Sequence, residues 1–526
     1  MIDRQFLNGL LFLLLFFGSC GLSTANEASQ VSDVEINYPS IPLLKRNTHN
    51  AILSVRFFVS DARPAGSIHG IELRIDKDAA ENLDELVVYQ NGREPLFDTT
   101  AAQIRSTPDM GTKTLRVSIP YQQGWNYVWI GASLRATANI DARPSVELVA
   151  LVNSDKKPLA IAGITGHPKK RLGVAVRKAW EDRVHTYRIP GIVQTDKGTL
   201  ISVYDNRYES TKDLPGNVDI GMSRSIDGGK TWQRMKVIMD MGPPHDNNGI
   251  GDPSVLFDPV TRTIWVAALW SKGNRSIAGS EPGLSPDQTG QLMLVSSTDD
   301  GLTWSPPYNI TAQVKNPIWH IYFNGPGSGI VMEDGTLVFA SQYWDESKKP
   351  GIPFSTIMYS KDRGKTWHSG TGFKSNTTEA QVVETTPGKL MLNMRDQRGY
   401  FRSVATTSDL GKTWQEHPTS FHALPDPICM GSIIKSRAVV KGAQKDVLFF
   451  SNINNSSVEH SRKDMTIKAS MDYGETWPEE NQLLLDERYG YGYSSLTRID
   501  EKTIGILYEG LRELYFVRIP VSDLIK

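Results

Sequence analysis

The sequence predicts an all-β chain in which a β-sandwich precedes a β-propeller, and three observations carry that expectation. An eight-residue phrase of the form Ser/Thr-x-Asp-x-Gly-x-Thr-Trp recurs five times: SIDGGKTW at 225–232, STDDGLTW at 297–304, SKDRGKTW at 360–367, TSDLGKTW at 407–414 and SMDYGETW at 470–477. Successive copies begin 72, 63, 47 and 63 residues apart, at positions 225, 297, 360, 407 and 470, with strand-like sequence between them. That spacing suits one four-stranded blade per copy. Ahead of the copies, residues 30 to 165 read as short runs of alternating polarity and contain no such phrase.

The first element is an apolar run of 12 residues, FLNGLLFLLLFF at 6–17, behind Arg4. It is too short to cross a bilayer as a helix and has the length of a signal-peptide core, so residues 1–25 are expected to direct export to the periplasm, the outer membrane or the exterior. Two cleavage readings stand side by side. Ser23-Thr24-Ala25 supplies the small residues of an ordinary signal-peptidase site, whereas Phe17-Gly18-Ser19-Cys20 resembles a lipobox that would make Cys20 a lipid anchor. Cys429 is the only other cysteine, which leaves the mature chain without an intramolecular disulfide, and its apolar setting (PICM) suits a small core residue. With 57 basic against 58 acidic residues the charge is balanced, which gives no basis for nucleic acid or a broad anionic surface as a partner.

The second element is the sandwich, 26–165. Its expected strands are ILSVRFFV (52–59), IELRID (71–76), ELVVYQ (85–90), TLRVSIPY (114–121), WNYVWIGASL (125–134) and VELVALVN (146–153), separated by turn signals such as Asn91-Gly92. Gly163 to Arg171 reads as a linker. The cluster Tyr121, Trp125, Tyr127 and Trp129 suits a packed core, with a sugar-stacking face as the alternative.

The propeller, 172–526, follows. Within each phrase the Asp can accept turn N–H groups, the Gly two residues on supplies a positive φ, and the terminal Trp offers an apolar plate to pack between blades. A calcium loop would require further carboxylates, which most copies lack. The phrases are therefore scaffold, and function has to come from the segments between them.

These phrases have the pattern known as the Asp box, and with them the chain resembles the sialidase (neuraminidase) superfamily, whose members are six-bladed propellers. Five boxes leave one blade without one. The resemblance implies an enzyme that grips the carboxylate of a terminal sialic acid with arginines, whose planar forks hold a carboxylate bidentately, and attacks with a neutral tyrosine in place of a carboxylate.

The matching segments occur in the family's order. YRIP (187–190) nominates Arg188; the second Arg-Ile-Pro, at Arg518, falls in the strand-like LYFVRIP, is read as closing the ring, and is set aside. YDNRYESTKD supplies Arg207, for contacts to ring substituents, and Asp213, as general acid and then base on a mobile loop. GIGDPS supplies Asp252 for the sugar's substituents, with Trp270 beside it as either pocket wall or packing. EAQVVE and LMLNMRD supply Glu379, the base partner of the nucleophile, and Arg395, while Glu384 is read as structural. Arg462 precedes the last box, and YGYGYSSL resembles the family's Tyr-Ser segment and nominates Tyr493 as nucleophile over Tyr489 and Tyr491, because only Tyr493 is followed, in the family manner, by Ser and a hydrophobic residue, here Ser494-Ser495-Leu496. Glu509, in LYEG, is paired with Arg188. Gly325, Gly327 and Gly329 are expected in tight turns near the pocket rim.

The implied activity is exo-α-sialidase hydrolysis of sialylated glycans and glycoproteins with retention, without redox cofactor or catalytic metal. Trans-sialidases, including the intramolecular kind, share these residues and remain the alternative, and a non-catalytic sialoglycan-binding propeller is the reading from another class. The resemblance also extends to the sandwich, as a carbohydrate-binding-like domain.

Overall fold

Each of the five boxes ends the third strand of a four-stranded antiparallel unit, so the repeat seen in the sequence is the repeat of the architecture. The computed structural model describes residues 31–60, 66–457 and 462–525; the apolar run at 6–17, both cleavage sites and Cys20 lie outside the described residues. The first blade is built from Thr186–Gln194, Leu200–Arg207, Val218–Ser225 and Lys236–Met239, and the second from Gly249–Asp258, Thr263–Ser271, Gln291–Ser297 and Tyr308–Asn309. The third uses Ile321–Asn324, Leu337–Trp344, Pro353–Ser360 and His368–Ser369, and the fourth Thr377–Thr386, Lys389–Asp396, Ser403–Thr407 and Gln415–Glu416. Ser432–Val440, Ala443–Ile453, Met465–Ser470 and Gln482–Asp486 form the fifth.

The sixth blade joins distant parts of the chain. Ser494–Arg498, Thr503–Glu509 and Leu514–Pro520 supply three strands, and Leu172–Arg177, from ahead of the first blade, pairs antiparallel with Leu514–Pro520 as the fourth. This is the blade without a box, and it closes the ring, with Arg518 in the strand that does so. Arg518 also donates to Asp141 of the sandwich at 2.7 Å and to the Gly228 carbonyl of the first box at 2.8 Å.

All five boxes have the same internal wiring. The Ser or Thr hydroxyl donates to the Asp and accepts from the Gly N–H; the Asp accepts the N–H and the hydroxyl of the Thr. The glycines lie at φ between +74° and +91°. Positive φ is only half of the reason for glycine: a Cβ on Gly229 would lie 2.0 Å from Phe516 of the sixth blade, and one on Gly364 would lie 2.4 Å from Trp265 of the second. The box therefore seats a bare backbone against the preceding blade, and its Trp completes the contact, as Trp232 does edge-on to Phe516 and Trp367 to Trp265.

That wiring has an electrostatic consequence. The Thr413 hydroxyl and backbone hold the Asp409 carboxyl down to about 2; for Asp299 and Asp362, slight burial pushes the other way but the same bonds from Thr303 and Thr366 bring both to about 2. Carboxyls whose folded values are depressed stabilise the fold above the unfolded value of about 3.9 and lose that contribution as pH falls toward 2. The melting temperature is thus expected to drop steeply between about pH 4 and pH 2, and Asp362→Asn, measured by calorimetry across that range, to flatten the slope.

In the sandwich, a six-stranded sheet in the order Ile161–Gly166, Val31–Tyr38, Asn50–Val59, Gly124–Leu134, Leu83–Gly92 and Ala102–Ser106 faces a three-stranded sheet of Gly111–Pro120, Ser67–Ile75 and Val146–Asn153. Phe57, Val128 and Ile130 from one sheet meet Ile71, Leu73 and Leu115 from the other in a shared core. Trp129 packs against Phe97 in a separate cluster on the other face of the six-stranded sheet, Tyr121 lies edge-on to Phe57, and the Arg56 guanidinium covers the ring of Trp125 at 4.7 Å. Two expectations need correction. Gly163 to Gly166, read as linker, finish a strand that pairs in parallel with Val31–Tyr38, because the backbone there completes a sheet edge. Leu43–Lys45, inside the range assigned to the sandwich, instead adds to the sixth blade alongside Leu172–Arg177.

Candidate active site

In an antiparallel blade the start of the first strand, the end of the second and the start of the third meet at one rim, while the third strand ends at the other. The boxes occupy the second rim. The nominated residues all fall on the first: Arg188, Asp252 and Glu379 early in first strands, Arg207, Arg395 and Glu509 late in second strands, Asp213 between second and third, Arg462 just ahead of a third, and Tyr493 just ahead of a first. One topological rule thus gathers residues spread over more than 300 positions.

Local irregularity then aims them inward. The pairing register of the first strands slips between Arg188 and Gly191, between Gly251 and Ser254, and between Thr377 and Ala380, so Arg188, Asp252 and Glu379 each stand at a β-bulge. Ile189 (φ +57°) and Asp252 (φ +58°) lie in the left-handed region, which is costly for a β-branched residue. Gly325 serves close approach and not the tight turn expected of it: a Cβ there would lie 2.5 Å from the Ala380 carbonyl, beside Glu379.

Tyr493 is the centre of the arrangement. Its hydroxyl donates to Glu379 Oε1 at 2.5 Å and accepts from Arg395 Nη1 at 2.9 Å, and the same Nη1 donates to Glu379 Oε2 at 2.6 Å. The Arg188 and Arg462 guanidinium carbons lie 5.1 and 5.8 Å from the Tyr493 ring centre, so the three expected arginines converge there. Arg462 is held by donation to the Tyr491 carbonyl at 2.8 Å and the Ile428 carbonyl at 3.4 Å. Burial, and then the Glu379 carboxylate, push the Tyr493 phenol well above its ordinary value against the opposing pull of Arg395 and Arg462, which keeps it neutral at working pH. Of its rivals, Tyr489 is an exposed side chain and Tyr491 stacks its ring under Arg188 at 4.6 Å.

Glu509 does more than accompany Arg188. Its fully buried carboxylate accepts Arg188 Nε at 2.9 Å and Nη2 at 3.3 Å, the Ile189 N–H at 2.8 Å and the Tyr493 N–H at 2.8 Å. One side chain thereby fixes an arginine, the strained residue after it and the backbone of Tyr493. Burial opposes the charge on Arg188, but Glu509 outweighs it, so that guanidinium is raised and stays cationic.

A second group surrounds Arg207, and here sequence reasoning missed a residue. Asp205, two positions earlier and completely buried, accepts Arg207 Nε at 3.1 Å and Nη2 at 2.9 Å and also the Asp252 N–H at 2.9 Å. Arg207 further donates to the Thr211 carbonyl at 3.0 Å and pairs with Asp213 at 3.2 Å, so it holds the loop that carries Asp213. The signal was present in YDNR as an acid alternating with an Arg on one strand. Asp205, Asp213 and Asp252 bring carboxylate oxygens within 4.8 Å of one another, and Arg207 supplies the positive charge among them. Burial, opposed by Arg207 and reinforced by Asp213, raises Asp205 to about 6; burial and then Asp213 and Asp205 raise Asp252 well above the carboxylate range. Asp213 itself has about half of its side chain exposed, open to a substrate from above.

Other candidates resolve as structure. Trp270 donates its ring N–H to Asn248 and packs with the core of the first two blades. Glu384 accepts the N–H groups of Glu333 and Gly388. Cys429 is a fully buried free thiol, raised by burial to about 11.

The BNR repeat-like domain family matches residues 198–506. The sialidase of Bacteroides fragilis (strain YCH46) is 39% identical over 549 aligned positions that cover 98% of this chain and 99% of that protein. The sialidase of Micromonospora viridifaciens is 34% identical over 333 positions, which cover 61% of this chain and 50% of that protein. Among solved structures, Hadza microbial sialidase Hz136 superposes with a TM-score of 0.86 at 38% identity, over 93% of this chain and all of that one. With the likeness extending through sandwich and propeller alike, this chain belongs to the sialidase family of glycoside hydrolases.

Proposed function

We propose that the protein is an exported exo-α-sialidase that releases terminal sialic acid from glycoconjugates with retention of configuration, through a covalent bond to Tyr493. The observation that carries this reading is the 2.5 Å hydrogen bond from the Tyr493 hydroxyl to Glu379, set among three arginines. Arg188, Arg395 and Arg462 hold the substrate carboxylate. Tyr493 Oη attacks the anomeric carbon as its proton passes to Glu379 Oε1, and the glycosidic bond breaks as Asp213 gives its proton to the leaving oxygen. In the second half-reaction Asp213 takes a proton from water, water attacks the same carbon, and Tyr493 leaves and recovers its proton from Glu379. A carboxylate nucleophile would face repulsion from the substrate's own anion, and a neutral phenol avoids it. Arg207, close to Arg188, and Asp252 contact the ring substituents.

Asp213→Ala is expected to slow sialyllactose by about 10²- to 10⁴-fold while costing an activated aryl sialoside far less, because acid assistance matters most for a basic leaving oxygen. Steady-state rates on the two substrates check this; equal losses would remove Asp213 from the role. The test of the reaction itself is proton NMR of sialyllactose digestion. The α-anomer of free sialic acid appearing first supports retaining hydrolysis, an anhydro sugar would assign an intramolecular trans-sialidase, and a β-anomer formed first would refute the tyrosine pathway.

A further inference from the structure

Beside the first box, the sandwich-side segments and the outer wall of the propeller enclose a cleft of about 560 Å³. None of its lining residues belongs to the catalytic group. Its charged lining is entirely cationic: Lys45, Arg46 and Arg177 come from the edge of the sixth blade, Arg135 from the sandwich, and Lys230 and Arg234 from the first box and the residues just after it. In a chain with 57 basic and 58 acidic residues, six cations without a lining acid is a local segregation of charge.

The six are not equally committed. Arg46 pairs with Glu181, and Arg177, almost wholly buried, is engaged by Ser223, the Gln233 carbonyl and Asp182. Among the described residues, Lys45 reaches only the Ala138 carbonyl, at 3.5 Å, and Arg135 only the Leu83 and Ala80 carbonyls, at 2.9 and 3.4 Å. Lys230 and Arg234 approach carboxylates no nearer than 3.8 and 3.9 Å, with 51% and 95% of their side chains exposed. Four cations, from the sandwich, the sixth blade and the first blade, thus line the cleft, Lys45 and Arg135 bonded to carbonyls alone and Lys230 and Arg234 held only by long ion pairs to Asp141 and Asp182. Such a field attracts anions, and engaging cations from the sandwich and from both blades at once takes a ligand with at least two anionic groups. Leu134, Val174 and Trp232 contribute apolar surface between the charges, the complement of a pyranose face, and the volume suits a short oligosaccharide.

The geometry points to a second binding site, separate from catalysis, for an oligosaccharide bearing two or more carboxylate or sulfate groups. The choice of a glycan as the source of those anions rests on the proposed sialidase reading, since the acidic chains that carry the enzyme's substrate carry such groups too. A hold on one branch raises the effective concentration of the next.

Calorimetric titration of the full chain with a chondroitin sulfate tetrasaccharide tests the site, with neutral chitotetraose as the control. Binding is expected for the acidic sugar alone, weakening as salt rises, and roughly tenfold weaker in each of Arg135→Glu and Arg234→Glu. Both variants are expected to melt like the wild type and to turn over an aryl sialoside at its rate. No binding, equal binding of the neutral sugar, or an affinity unchanged in both variants would overturn the proposal. Capture by phosphatidylglycerol vesicles that the tetrasaccharide does not displace would also overturn it, by assigning the cleft to a membrane surface. Failure of the sialidase reading is distinguishable, because it would abolish turnover of the aryl sialoside and leave the titration unaffected.

Discussion

Tyr493→Phe is expected to lower kcat on sialyllactose by on the order of 10⁴-fold or more, the scale on which removing a nucleophile acts, with the melting temperature close to that of the wild type. The single atom removed is the one that donates to Glu379 and accepts from Arg395, and those two partners already meet each other at 2.6 Å without it. The pair therefore stays satisfied in the variant, and the buried ring keeps its place beside Arg188 and Arg462. Binding of a carboxylate ligand is expected to survive, since the three arginines are untouched. Near-normal turnover would sink the nucleophile assignment; a collapse in melting temperature would show that the hydroxyl serves the fold first.

Glu509→Gln is expected to do the opposite, damaging stability and activity together. The carboxylate accepts four hydrogen bonds with both oxygens, and an amide would turn a donor toward N–H groups on one side. Arg188 would be left as a buried charge without its counter-ion, a change that costs about 3–5 kcal/mol. Ile189, held at φ +57° through its N–H, would lose one of the restraints on that conformation, and the Tyr493 backbone would lose its acceptor. Chemical denaturation should show the lost stability, and kinetics should show a raised KM with a lowered kcat, because Arg188 and Tyr493 share this support. Unchanged stability with a raised KM alone would reduce Glu509 to a partner of Arg188.

The boxes made the propeller legible because the chemistry they need is local: a hydroxyl, an acid, a glycine and an indole within eight residues. The site residues were legible for another reason, since the resemblance supplies their order while blade topology supplies their meeting point. Asp205 escaped because only half of its role is local: Arg207 shares its strand, but the Asp252 N–H that it also accepts comes from the next blade. The bulges at Arg188 and Asp252 left a trace that could have been used: Pro190 and Pro253 interrupt first strands from which proline is otherwise excluded. Leu43–Lys45 left none, because three residues added to the edge of a distant sheet have no period to read.

The closing strand also sets an order of events. Leu172–Arg177 must find Leu514–Pro520 across more than 300 residues, and until it does, the sixth blade lacks its outer strand. Contacts so far apart form late, since the entropy of so large a loop is lost before any pairing compensates it. Arg188 lies just past one partner and Glu509 just before the other, so their ion pair belongs to that same late step. The appearance of activity during refolding is therefore a clock for ring closure: it should lag the fluorescence of the box tryptophans other than Trp232, which alone packs on Phe516 across the closing seam.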